Sequence, residues 1–131
     1  MFRKLAPMFL VDEVERAARF YREVLGAELV ASLPDEPPYE WVSSKLGEVE
    51  LMFWEVGAAA REYPGLGIPE SPAGFIAYIY VDDLDALYER VREAAEVLMV
   101  PVDQFYGMRE FTIRDPFGFV LTLAQEEAVG K

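Results

Sequence analysis

The chain has 131 residues, 53% hydrophobic and 14% aromatic, enough apolar material for one packed domain, which excludes global disorder. Its 24 acidic and 12 basic residues give a formal net charge of −12, whose field repels nucleic acid and anionic membrane surfaces, so neither is expected as a partner. Without cysteine or histidine it can have no disulfide, thiolate nucleophile, Cys-ligated zinc or imidazole base.

The first apolar run ends at Val11 and is followed by Asp12. Val14, Ala17, Ala18, Tyr21 and Leu25 then recur at helical spacing, one stripe of an amphipathic helix. Asp12 stands where an N-cap is needed, Glu15 suits the positive helix end, and Gly26 suits a left-handed stop. Strand-like runs follow at 28–33, 40–46 and 49–56, separated by a Pro-rich loop at 34–38 and a turn at Gly47. Residues 57–74 hold three prolines and several glycines and read as a linker.

A second copy of the same pattern follows. Residues 75–100 lie over 5–30 without a gap: Val81 replaces Val11, Asp82 replaces Asp12, Asp85 replaces Glu15, and the stripe returns at Leu84, Leu87, Tyr88, Val91 and Ala95. Glu96 stands where Gly26 was, so this helix should end less sharply. Strands are expected at 97–102, 109–114 and 119–124, the last two joined by RDPFG, in which Asp115, Pro116 and Gly118 suit a type I turn and its exit. Each half therefore reads βαβββ. The expected organisation is a single domain over 1–131, with module 1 at 3–56, a linker at 57–74 and module 2 at 75–125. The fold class is α+β, two tandem βαβββ modules forming a curved mixed sheet around a cavity with the helices outside.

VDEVERAARFYREVLGAEL near the start and YGMREFTIRDPFGFVLTLAQ near the end, with the repeat between them, resemble the vicinal oxygen chelate superfamily. That superfamily joins glyoxalase I, extradiol dioxygenases and bleomycin-binding proteins, and the resemblance spans nearly the whole chain. It implies four strand positions that hold a divalent metal in the enzymes, and these fall on Ala6, Glu50, Ile76 and Thr122. Ala and Ile have no donor atom and a Thr hydroxyl is a poor one, so no metal and no cofactor are expected. The character is closest to the metal-free, bleomycin-resistance-like branch.

Strand alternation from these anchors sends Met8, Leu10, Met52, Trp54, Tyr78, Tyr80, Val120 and Ala124 to the cavity side. Phe9, Leu51, Phe53, Ile79, Leu121 and Leu123 should lie beneath the helices. The expected pocket is aromatic and apolar with one acid, suited to a planar or cationic small molecule. Ligand-binding candidates are Trp54, Glu50, Tyr78, Tyr80, Tyr106, Met52 and Trp41, each aromatic having core or interface packing as its alternative. For Tyr106 the role comes from the resemblance, since bleomycin-binding relatives carry a stacking aromatic there. Glu50 has three readings: a carboxylate attracting a cation, a base whose pKa is raised by apolar surroundings, or an exposed strand residue without a role. Arg109, Glu110 and Arg114 read as cross-strand pairs rather than ligands.

The leading expectation is a sequestering small-molecule binder, with no catalytic residue. The alternatives are a metal-independent isomerase or lyase using Glu50, a family enzyme with a non-standard metal site, and an interaction module with a vestigial pocket. A homodimer is expected, because relatives pair chains to cover sheet edges. With no secretory signal pattern and no membrane-length apolar run, the expected location is cytoplasmic.

Overall fold

Alternating apolar residues that each half can bury on only one side produce two small sheets, each backed by its own helix. The computed structural model describes residues 1–63, 65–66 and 74–127. Two compact units result, Met1–Glu70 and Ser71–Lys131.

Unit 1 contains β1 (Met8–Val11), α1 (Val14–Leu25), β2 (Glu28–Leu33), β3 (Trp41–Leu46), β4 (Val49–Glu55) and α2 (Val56–Glu62). Unit 2 contains β5 (Ile76–Tyr80), α3 (Leu84–Val91), β6 (Glu96–Asp103), β7 (Met108–Arg114) and β8 (Val120–Glu126). The strand orders are β1-β4-β3-β2 and β5-β8-β7-β6. In each sheet the first strand runs parallel to the last and the other pairs are antiparallel. The helix after the first strand carries the chain across the sheet, which a parallel arrangement requires. The βαβββ reading of both halves holds, and the fold is α+β.

Alternation sorts the side chains as expected. Phe9, Leu51 and Phe53 are buried with Val14, Ala17, Tyr21 and Leu25 of α1. The Tyr21 and Phe53 rings lie 4.7 Å apart and Phe9 is 5.6 Å from Phe53, so three aromatics form the centre of this core. In unit 2, Ile79, Phe111, Ile113, Leu121 and Leu123 are buried with Leu84 and Val91, and Tyr88 packs 5.2 Å from Phe111. Each fully buried Leu, Ile, Val or Phe contributes about 1.5–3 kcal/mol relative to exposure.

Three local details differ from the sequence reading. The N-caps are Glu13 and Asp83, not Asp12 and Asp82; Asp83 Oδ1 accepts from the Ala86 amide at 3.3 Å, whereas Glu13 makes no side-chain cap bond. Part of the expected linker is helix α2: the Glu55 carboxylate accepts from Gly57 N at 2.6 Å and Ala58 N at 3.1 Å, and Ala58 and Ala59 are buried. Good helix formers behind a capping carboxylate outweigh Gly57. The linker's three prolines, at 64, 69 and 72, lie outside the described residues. Finally, Ala95 falls beyond the end of α3, which stops at Val91 with Arg92 still right-handed, a less sharp ending than Gly26 with its φ of 82°.

The RDPFG turn forms as expected. Gly118 N donates to Asp115 O at 3.1 Å, and the buried Asp115 carboxylate accepts from the Phe117 and Phe119 amides at 2.9 and 2.8 Å. Gly118 has φ 95°, a conformation that costs other residues strain.

Candidate functional site

On β7 the residues alternate, so Phe111 and Ile113 go under α3 while Glu110 and Thr112 go to the face away from it. That face of unit 2 also carries Tyr78 and Tyr80 from β5 and Thr122 from β8, because Tyr78 pairs with Thr122, Thr112 with Thr122, and Glu110 with Ala124. Glu110 is only 3% exposed. Burial of a carboxylate requires donors, and three are present. Tyr78 Oη and Tyr106 Oη both donate to Glu110 Oε2, the second at 2.8 Å, and Gln104 Nε2 donates to Oε1 at 3.4 Å. Burial and the Glu110 hydrogen bond push the Tyr78 hydroxyl far above the usual phenol range; Tyr106 is raised too, chiefly by its bond to the same carboxylate. Neither tyrosine can serve as a phenolate base near neutrality.

Tyr80 stacks edge-on against Tyr78 at 5.4 Å and is 62% exposed. Thr112 and Thr122 share a hydroxyl hydrogen bond of 2.9 Å. The face thus presents two exposed aromatic rings beside a carboxylate whose tyrosine partners have their protons turned inward. Tyrosine oxygens that donate inward can offer only lone pairs outward.

In unit 1, Glu50, Met52 and Trp54 of β4 share the face away from α1, with Trp41 opposite Trp54 and Ser43 opposite Met52. Trp54 packs at 90° against Tyr63, 5.7 Å between centroids, so part of its ring is already used within the protein. Glu50 Oε1 accepts from Lys4 Nζ and Oε2 from Ser43 Oγ, both at 2.5 Å. These two bonds hold its carboxyl below the ordinary range, Lys4 contributing most. Of the three readings of Glu50, the raised-pKa base is the one that this environment opposes: a carboxylate stabilised in its charged form is a weaker base.

Of the candidates, Tyr78, Tyr80 and Tyr106 are brought together in unit 2, and Glu50, Met52, Trp54 and Trp41 share one face of unit 1. Glu110 is the acid that sequence reasoning passed over. Arg109 does bond Asp103 at 2.9 Å across the strand pair and Asp85 at 3.1 Å, and Arg114 bonds Glu96 at 2.5 Å, but Glu110 joins neither. Its parity with Thr112 and Thr122, rather than with Arg109, was the available signal.

The family pattern described as Glyoxalase/Bleomycin resistance protein/Dioxygenase superfamily matches residues 5–123. The chain belongs to that superfamily. Solved structures agree on the fold. TioX from Micromonospora sp. ML1 superposes with a TM-score of 0.75 at 18% identity, covering 95% of this chain and 99% of that one. A protein of unknown function from Agrobacterium tumefaciens str. C58 gives 0.80 at 20% identity, covering 96% and 95%. A glyoxalase/bleomycin resistance protein/dioxygenase from Nocardioides gives 0.76 at 21%, covering 100% and 88%. Comparison with curated proteins gives no match.

The superfamily's metal positions do not fit a metal in this member. Ala6 and Ile76 supply no donor, Thr122 Oγ1 is engaged with Thr112, and the Glu50 carboxylate is engaged with Lys4 and Ser43. Neither unit offers more than one oxygen-bearing side chain from these positions, whereas selective sites need several ligands in fixed geometry. Among the described residues no helix is long and apolar enough to cross a membrane.

Proposed function

We propose that this protein is a metal-independent small-molecule binder of the bleomycin-resistance type, which sequesters a planar cation. The observation that carries this reading is the Glu110 carboxylate set beneath Tyr78 and Tyr106. Tyrosine faces attract cations through the ring quadrupole, and a shielded carboxylate adds charge in a place that salt reaches poorly. The lowered basicity of Glu50 counts against the isomerase or lyase alternative. Under this reading the protein works in the cytoplasm as a homodimer and protects the cell by holding a toxic compound.

Calorimetric titration with a planar aromatic cation, its neutral isostere and an anionic analogue, at low and high salt, tests the proposal. The expected order is cation, neutral, anion, with cation binding retained at high salt because stacking is not screened. Tyr106→Ala should weaken the cation by about 1 kcal/mol, roughly fivefold. Binding that salt abolishes, or affinity unchanged in Tyr106→Ala, would leave the reading without a physical basis.

A further inference from the structure

The groups around Glu110 divide unequally between the fold's rigid and exchangeable parts. Tyr78 comes from the middle of β5, paired in register with β8. Tyr106 and Gln104 come from a single four-residue tip, 104–107, which joins β6 to β7. The tip is closed by Gln104 N to Met108 O at 2.7 Å and Gly107 N to Gln104 O at 3.2 Å, and Gly107 adopts φ 85°. A third bond, Glu127 N to Gly107 O at 3.0 Å, ties the base of the tip, but Tyr106 is 52% exposed and its neighbour Phe105 is 97% exposed, so little side-chain packing holds it down.

These two residues occupy different oxygens of the same carboxylate. Tyr106 bonds Oε2 at 2.8 Å and Gln104 bonds Oε1 at 3.4 Å. One displacement of one turn therefore frees one lone pair on each carboxylate oxygen, while Tyr78 stays on Oε2. Two acceptors side by side on a planar carboxylate match the two parallel N–H donors of an amidinium or guanidinium group, and do not match a quaternary ammonium.

We propose that Glu110 is the charge-selecting anchor for an amidinium- or guanidinium-bearing ligand, and that the tip hydroxyl and amide of Tyr106 and Gln104 are placeholders which the ligand's paired N–H donors replace. This inference rests on the cation-binding reading and sharpens it to a ligand class. The Tyr106 ring remains available to stack on the bound group; its hydroxyl competes with that group. The two roles of Tyr106 can therefore be separated by substitution.

Calorimetry with benzamidinium and with phenyltrimethylammonium, which has the same ring and charge but no N–H, reads the difference. In wild type benzamidinium should bind more tightly. Tyr106→Phe keeps the ring and removes the competing hydroxyl, so benzamidinium should tighten by about threefold or more while phenyltrimethylammonium stays unchanged. Glu110→Gln should abolish the preference between the two. Circular dichroism and thermal melting check that this variant is folded, and if it is not, the Tyr106→Phe comparison decides alone. Wild-type binding of both cations with no preference, or weaker benzamidinium binding in Tyr106→Phe, would overturn the placeholder role while leaving cation sequestration standing. Failure of the wild type to bind either cation would overturn both.

Discussion

Two carboxylates show how a residue's neighbours decide its chemistry. Glu50 has a lysine against it and Glu110 has tyrosines, so the first is neutralised by a full charge and the second only by dipoles. For Glu50 the folded-state pKa is lowered, so its contribution to stability is complete above the ordinary carboxylate pKa. That contribution is lost as pH falls through the lowered value. Lys4→Met should move the Glu50 titration upward, toward the ordinary range, when followed by carboxyl carbon NMR. A wild-type Glu50 that titrates above the ordinary range would restore its candidacy as a base. Glu50 was legible as a charged residue on the right face because period-two alternation is local. Its partner was not, since Lys4 and Glu50 are joined only by folding.

At the level of single elements, caps separate what spacing can decide from what backbone geometry decides. Asp82 and Asp83 stand side by side before α3, and the side chain that reaches the first turn is that of Asp83. Asp83→Ala should lower stability by about 0.5–1 kcal/mol in urea denaturation, the low end of cap effects because the bond is long, while Asp82→Ala and Asp12→Ala should change it little. Equal losses at Asp82 and Asp83 would contradict the assignment. Strand boundaries were legible to within a residue or two because the turns at Gly47 and Asp115 punctuate them. The bulges on β2 between Leu29 and Ala31, and on β6 between Val97 and Met99, were not, since a bulge exists only relative to a partner strand.

For the whole molecule, the strand edges and the residues at the superfamily's metal positions lead to predictions about assembly and metal. β2 and β6 are edge strands that expose Leu33 and Val100, and the placement of Pro101 in β6 agrees with an edge. Sedimentation equilibrium at micromolar concentration should give a homodimer; a monomer would remove that part of the proposal. Added Zn²⁺, Ni²⁺ or Mn²⁺ should leave the melting temperature unchanged. A ligand at a hundredfold excess over its Kd would stabilise by about 2.7 kcal/mol. A metal shift of that order, lost in Glu50→Gln, would show that a metal binds here through Glu50 and overturn the metal-independent reading.

The sequence by itself determined the strands, helices α1 and α3, their duplication and the faces of each strand, since these follow from residue spacing along the chain, while the superfamily followed from the resemblance of the two end segments; helix α2, read as linker, was not among them. Helical spacing put Val14, Ala17, Tyr21 and Leu25 on one side, and alternation put Phe9, Phe53, Leu121 and Leu123 beneath the helices. The tertiary structure alone decided which acid takes which partner. Lys4 meets Glu50, and Tyr78 meets Glu110, across 46 and 32 positions of chain. Such meetings depend on strand order and register, and the pKa and availability of a carboxylate depend on whatever lies within a few ångströms of it in space, a quantity that spacing along the chain does not encode.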